Sequence, residues 1–386
     1  MIQRTLYALL AMVLLTTTLS AQQKKNLTPD DYGKWQAIGA SDLSPNGEWV
    51  VYQIAVQEDN DTMYVMNRNT NKVYKLEFAS NPEFSKDNKW IAYRIGLPFK
   101  EAEKLRDQSR PIEYKMGLLN LETGKKETVQ TISRFGFSRN GKFLAAYLTP
   151  PKENKDKGSV LLIKNLNDHT THTIGNVTEY AFNKKSDYLA YIVESANVAG
   201  NAVELFNLGA YSLKVIASDT LKFSRLSWQK EGDGLTFFKT FKKDTYEEEN
   251  AVVYSYVDLY KTPSLKTFDP MDAPGFPKNM RIHNASSLRL SDDMSAVFFG
   301  IKSWTVKPKK DDKNPADSSK AKTTDSTRTK TDSSKLSAVK KPGTDEKLAA
   351  VDIWHWKDTE IQPRQKLTFT QDKEANYLSV WNLDNN

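Results

Sequence analysis

Residues 43–55 read LSPNGEWVVYQIA: a large apolar residue, a short polar turn, then an alternating aromatic and β-branched run. Asn46-Gly47 suits a tight hairpin turn, and Trp49-Val50-Val51-Tyr52 has the period-two alternation of a half-buried strand. The same pattern recurs as FSKDNKWIAYRIG from Phe84, FSRNGKFLAAYLT from Phe137 and FNKKSDYLAYIVE from Phe182. It appears twice more, as WQKEGDGLTFFKT from Trp228 and LSDDMSAVFFGIK from Leu290. Each copy is followed by a second strand–turn–strand segment, such as MYVMNRNTNKVYKLE from Met63 or YKMGLLNLETGKKETV from Tyr114. For the sixth copy this second hairpin is expected in AVDIWHWKDTEIQPRQKL from Ala350.

Two hairpins per period of roughly 40–60 residues make a four-stranded unit, the pattern of a β-propeller blade. One such sheet cannot bury both of its faces, so neighbouring units must stack. The fold class expected is therefore all-β: a β-propeller of four-stranded blades, with about six repeats present and a next one begun at Tyr377–Leu383 and cut off. A propeller left open in this way exposes unpaired edges. One short helical insertion is expected at Lys100–Ser109.

The 386 residues include 17 Tyr, 17 Phe and 8 Trp, enough for a substantial core. Cysteine is absent, which excludes disulfide scaffolds, thiol catalysis and cysteine metal sites. Net charge is +7, yet residues 307–347 alone hold eleven Lys and one Arg against six Asp and one Glu. The rest of the chain is close to neutral and carries no footprint for nucleic acid. Residues 307–347 are rich in Lys, Ser, Thr and Asp and poor in large apolar residues, so a disordered insertion within the propeller is expected there. Residues 1–21 have a single charge at Arg4, an apolar run of about ten residues and a small-residue end at Ala21. That is the layout of a secretory signal peptide, and a spanning helix needs about 20 apolar residues. The domain plan expected is a signal peptide over 1–21, then an incomplete propeller over 22–386. Localisation is expected in the periplasm or outside the cell, with no integral membrane segment after cleavage. An exported chain without disulfides suits a bacterial periplasm.

The opening LTPDDYGKWQAIGASDLSPNGEWVVY, Leu27–Tyr52, resembles the start of secreted bacterial proteins of the prolyl oligopeptidase family, the S9 group of serine peptidases. So does VDIWHWKDTEIQPRQ, Val351–Gln365, with its Trp354-His355-Trp356. The repeats are also similar to those of TolB-type propellers. The resemblance spans essentially the whole chain after residue 21. It implies a propeller that docks peptide substrates and gates an α/β-hydrolase domain carrying Ser, Asp and His. The other reading is a non-enzymatic periplasmic TolB-like propeller that binds a protein partner.

No catalytic residue is assigned. A nucleophile elbow requires Gly-x-Ser-x-Gly on a strand-to-helix turn. The nearest match, Gly136-Phe137-Ser138-Arg139-Asn140, lacks the last Gly and makes Ser138 a turn residue of a propeller repeat. No βαβ alternation leaves room for a hydrolase domain. No cofactor and no metal is assigned either. His169 and His172 are three apart, which on a strand points them to opposite faces, so an exposed hairpin turn is expected. His283 and His355 lack a nucleophile to activate and are read as structural. Glu101 and Glu103 are two apart and do not share a helical face, so no role in holding a substrate amine is given to them. The acidic run Tyr246–Asn250 is expected to be a solvated loop.

Overall fold

The computed structural model describes residues 26–150, 158–195, 200–307 and 355–384. The signal peptide expected at 1–21, and all of the insertion expected at 307–347 except Lys307, lie outside the described residues. The chain is nearly all β. The first sheet is an antiparallel meander of β1 (Gln36–Leu43), β2 (Trp49–Val56), β3 (Thr62–Asn67) and β4 (Val73–Glu77). A short helix, α1 (Pro29–Tyr32), precedes it. The fifth sheet is a second such meander: β15 (Lys222–Trp228), β16 (Leu235–Lys242), β17 (Glu249–Val257) and β18 (Ser264–Phe268).

Between them, ten strands form one continuous hydrogen-bonded sheet. These are β5 (Ala79–Phe84), β6 (Trp90–Ile95), β7 (Tyr114–Asn120), β8 (Lys126–Phe137), β9 (Phe143–Leu148), β10 (Ser159–Asn165), β11 (Thr171–Phe182), β12 (Tyr188–Val193), β13 (Asn201–Asn207) and β14 (Ser212–Asp219). The sheet is three four-stranded blades fused through two long, bent strands. Lys126–Val129 of β8 pair with β7, whereas Arg134–Phe137 pair with β9. In β11, Thr171–Ile174 pair with β10 and Glu179–Phe182 with β12. Each bend carries a non-glycine residue in the left-handed region, Thr131 (φ 51°) and Asn176 (φ 57°). Such residues re-aim the strand at a register shift.

Packing follows directly from the two-residue period of the strands. In β6, Ile91 and Tyr93 enter the core shared with the first blade, while Trp90 and Ala92 enter the core shared with the third. In β12, Leu189 and Tyr191 face back to the third blade, and Ala190 and Ile192 face forward to the fifth. In β16, Leu235 and Phe237 face the fourth blade and Phe238 the sixth. Five apolar cores thus lie between six consecutive blades. This is the stacking that sheets with two apolar faces require. The first strands of neighbouring sheets also touch, β1 with β5, β11 with β15, and β15 with β20 (Arg289–Leu290), so the inner edges converge on one axis.

The repeated turn has an atomic explanation. Ser44, Ser85, Ser138 and Ser291 each accept the backbone N–H of the residue five positions on and donate to an Asn or Asp two positions on. Asn183 and Gln229 hold the equivalent turns through their side-chain carbonyls. Three residues after each anchor the backbone is left-handed, at Gly47, Asn88, Gly141, Ser186, Gly232 and Met294. At Gly141 the conformation (φ 73°) and the space agree, since a Cβ there would meet Asp87 of the preceding blade at 2.8 Å.

The sixth sheet departs from expectation. β19 (Met280–Ile282) and β20 both pair one edge of β21 (Ala296–Ser303), and β22 (Tyr377–Asn382) pairs the other. Tyr377–Leu383 is therefore the third row of the sixth sheet and does not begin a seventh. The hairpin expected from Ala350 is replaced, within the described residues, by helix α3 (Gln362–Glu374), with Pro363 in its first turn. Together with α2 (Phe99–Asp107), which matches the expected insertion, the chain has more helix than the single insertion anticipated. Among the described residues, no pairing joins β1 to the sixth sheet. All eight residues of β1 are exposed, and Leu378 on β22 is 75% exposed.

Candidate functional site

The inner strands end together at one mouth of the axis. Phe84, Phe137, Phe182 and Trp228 close β5, β8, β11 and β15, and each is followed by its turn anchor and then by a cation: Lys86, Arg139, Lys184 and Lys230. These residues line a cavity of about 860 Å³. That size lies within the range of ligand sites, about 300–1,000 Å³. The aromatic residues form its apolar wall. The Trp228 indole N–H is already committed to the Ala181 carbonyl at 2.9 Å, leaving the ring itself as the lining.

Turn-to-turn tethers hold the mouth in shape. Asn46 N–H donates to the Asn88 side chain at 2.9 Å, and Asn140 N–H to Ser186 Oγ at 3.1 Å. The Gln229 side-chain amide donates to the Asp292 carbonyl at 2.8 Å. Each bond joins one blade to the next.

Glu83 is the one carboxylate among the lining residues. It accepts the Phe137 N–H at 3.3 Å. Burial pushes its carboxyl above the ordinary value, against the opposing pull of that N–H and of Lys86. Lys184 is held by Glu231 at 2.6 Å and Lys230 by Asp292 at 3.5 Å, both partners lying one blade further on. Deeper along the axis, the Arg134 guanidinium sits over the rings of Tyr147 and Tyr180, 4.8 and 4.7 Å from their centroids. The mouth is thus a concave surface with an electropositive rim. It offers cations, an apolar wall and no paired nucleophile and base.

The residues weighed from sequence are distributed elsewhere. Ser138 is buried, its Oγ fully used in the turn. His169 and His172 do not share a site: His169 meets the edge of Trp90, and His172 stacks on Tyr211 at 4.6 Å. His355 is exposed and accepts the Lys357 N–H. Glu101 and Glu103 are exposed on α2. Among the described residues no three His, Cys, Asp or Glu side chains converge to hold a metal ion, and no helix is long and apolar enough to cross a membrane.

The acidic run at 246–250 is a correction. It is not a solvated loop but a junction between the fifth and sixth sheets. Glu248 accepts from Thr305 N–H and Oγ1, Glu249 from the Asn284 amide, and Asn250 is 1% exposed. The Glu248 carboxylate faces the buried Arg281, whose Nη2 lies 3.9 Å from it and whose Nη1 donates to the Glu249 carbonyl. Long-range pairing of this kind leaves no trace in a local window, so an acidic pentad reads as solvent-facing.

His283 lies beside Arg281, with its Nε2 2.7 Å from Glu374 at the end of α3. Burial lowers its pKa below the ordinary 6.5; Glu374 opposes this, while Arg281 and Lys302 reinforce it. The folded protein then binds fewer protons here than the unfolded chain just below pH 6.5, so stability falls as pH drops through that value. Urea melts between pH 7.5 and 5.5 should show the loss, and His283→Gln should flatten it. An equal slope in the variant would assign the effect to other groups.

No protein-family model and no curated protein matches the chain. Solved structures similar in fold include the β-propeller domain of the Trilobed protease from Pyrococcus furiosus, at 14% identity and a TM-score of 0.37, covering 70% of this chain and 80% of that one. Pyrococcus horikoshii acylaminoacyl peptidase is similar at 12% identity and a TM-score of 0.35, over 70% of this chain but 43% of its own. TolB from Acinetobacter baumannii is similar at 9% identity and a TM-score of 0.29, over 60% of this chain and 56% of its own.

Proposed function

We propose that this chain is the propeller part of an exported serine peptidase of prolyl oligopeptidase type. In that reading it docks peptides and limits which of them reach a hydrolase domain; it does not cut them itself. The observation that carries the reading is the axial mouth: an 860 Å³ cavity ringed by four equivalent turns, with an apolar wall and charged rim. The opening and the Trp-His-Trp segment that resemble the family, and the signal-peptide layout of residues 1–21, support it further. Acyl transfer needs a nucleophile, a base and an orienting acid in contact. In this reading those three belong to a domain that the 386 residues do not include.

The test uses the purified chain, a fluorophosphonate probe for active serines, and fluorescein-labelled peptides of five to ten residues. The expected result is no covalent labelling together with saturable peptide binding by fluorescence anisotropy. Labelling of the chain by the probe, or the absence of binding for every peptide, would overturn the proposal.

A further inference from the structure

We infer that the axial mouth selects acidic peptide segments. This rests on the peptide-docking reading above and names the substrate class that the site takes. The second position after the inner-strand aromatic is Lys86, Arg139, Lys184 and Lys230 in four successive blades, and all four line the same cavity. The corresponding residues of the first and sixth blades are Pro45 and Asp292, so the positive arc covers one side of the axis.

The four cations are not equivalent. Lys184 and Lys230 already have acidic neighbours in Glu231 and Asp292. Among the described residues, Lys86 and Arg139 have no carboxylate within ion-pair distance, and both are exposed. They sit on adjacent blades, Lys86 three residues after Glu83 and Arg139 two residues after Phe137, the two residues joined by the hydrogen bond between those blades. Glu83, the only acid of the lining, accepts that bond with one oxygen and lies near enough to feel the charge of Lys86, but makes no ion pair with it. An incoming carboxylate therefore meets two cations without having to displace a resident partner. The Arg139 guanidinium can take a carboxylate in bidentate fashion, and Lys86 adds a point charge. The aromatic wall accepts apolar side chains beside the acid. That combination favours an acidic peptide over an acidic saccharide, because Ser138, Asn183 and Gln229, the neutral polar side chains of the lining, are already engaged within and between the turns and leave ring hydroxyls few partners.

The test measures anisotropy with three labelled hexapeptides that differ only in Glu, Gln or Lys at two positions. Wild type, Lys86→Gln/Arg139→Gln and the outer-strand control Lys75→Gln are compared at 50 and 300 mM salt. Two partly exposed ion pairs predict that the Glu peptide binds about fivefold to tenfold tighter than the Gln peptide at low salt. The preference should shrink at 300 mM salt, vanish in the double variant and persist in the control. Equal binding of Glu and Gln peptides to wild type would overturn this inference and leave peptide docking standing. Loss of binding for all three peptides in wild type would remove both. Competition by oligogalacturonate at these residues, with no peptide preference, would reassign the site to an acidic saccharide.

Discussion

Phe237→Ala should cost about 3–5 kcal/mol of stability. Phe237 is fully buried in β16 and belongs to the core between the fourth and fifth blades. Its ring stacks on Tyr254 at 5.2 Å and meets the edge of Phe223 at 5.8 Å, so truncation removes two aromatic contacts as well as buried area. Its neighbour Phe238 points into the next core and so cannot fill the space left. Against a typical total of about 5–15 kcal/mol, this is a large fraction. Urea denaturation followed by tryptophan fluorescence measures it. Phe237→Leu, which keeps most of the volume, should lose no more than about 1.5 kcal/mol. A loss below about 1 kcal/mol for the alanine variant would mean that the fourth and fifth blades do not share this core.

The second large effect is expected at Asn250. Its side-chain carbonyl accepts the Ile282 N–H at 2.8 Å and the Ala251 N–H at 2.9 Å, so one oxygen bridges β17 and β19. Alanine would strand two buried N–H groups, each costing about 1–3 kcal/mol. We expect a total near 2–4 kcal/mol, and loss of hydrogen-exchange protection at the Ile282 amide. Protection at Ile282 equal to wild type would show that the sixth sheet is held to the fifth by other contacts. The two variants separate the interactions that hold this chain together: apolar stacking at Phe237 and buried polar stitching at Asn250.

How much of this was readable beforehand differs by element. The six turns were legible because the chemistry of each is local: an anchor such as Ser85, an acceptor two positions on, a left-handed residue after it, and an aromatic strand. The bend in β8 was not, because Thr131 has no glycine or proline beside it; the bend in β11 does carry Gly175-Asn176, but that pair lies between two copies of the pattern and outside both. Helix α3 was not expected, because its first residues, Gln362 to Leu367, fall in the segment set against the second hairpins of the other copies; Leu367 and Phe369 are exposed, at 80% and 64%. Pro363, early in a stretch rich in Gln and Lys, was the signal that favoured a helix. The cationic arc of the mouth was present in the aligned copies as Lys86, Arg139, Lys184 and Lys230. It became a site only when the fold brought residues some fifty positions apart to one axis. Arg281, His283 and Glu374 had no such register, since two of them come from β19 and its flank and the third from a helix over 90 residues away.

The fused strands β8 and β11 also bear on how a chain like this can change over generations. Between the fourth and fifth blades, Thr220 and Leu221 separate β14 from β15, so a whole blade could be copied or deleted there with ends that rejoin in a loop. Between the second and third blades, or the third and fourth, the same event would sever a strand that serves two sheets at once. The shared strands thus predict that blades two to four change together, and that blade number varies at the two flanks.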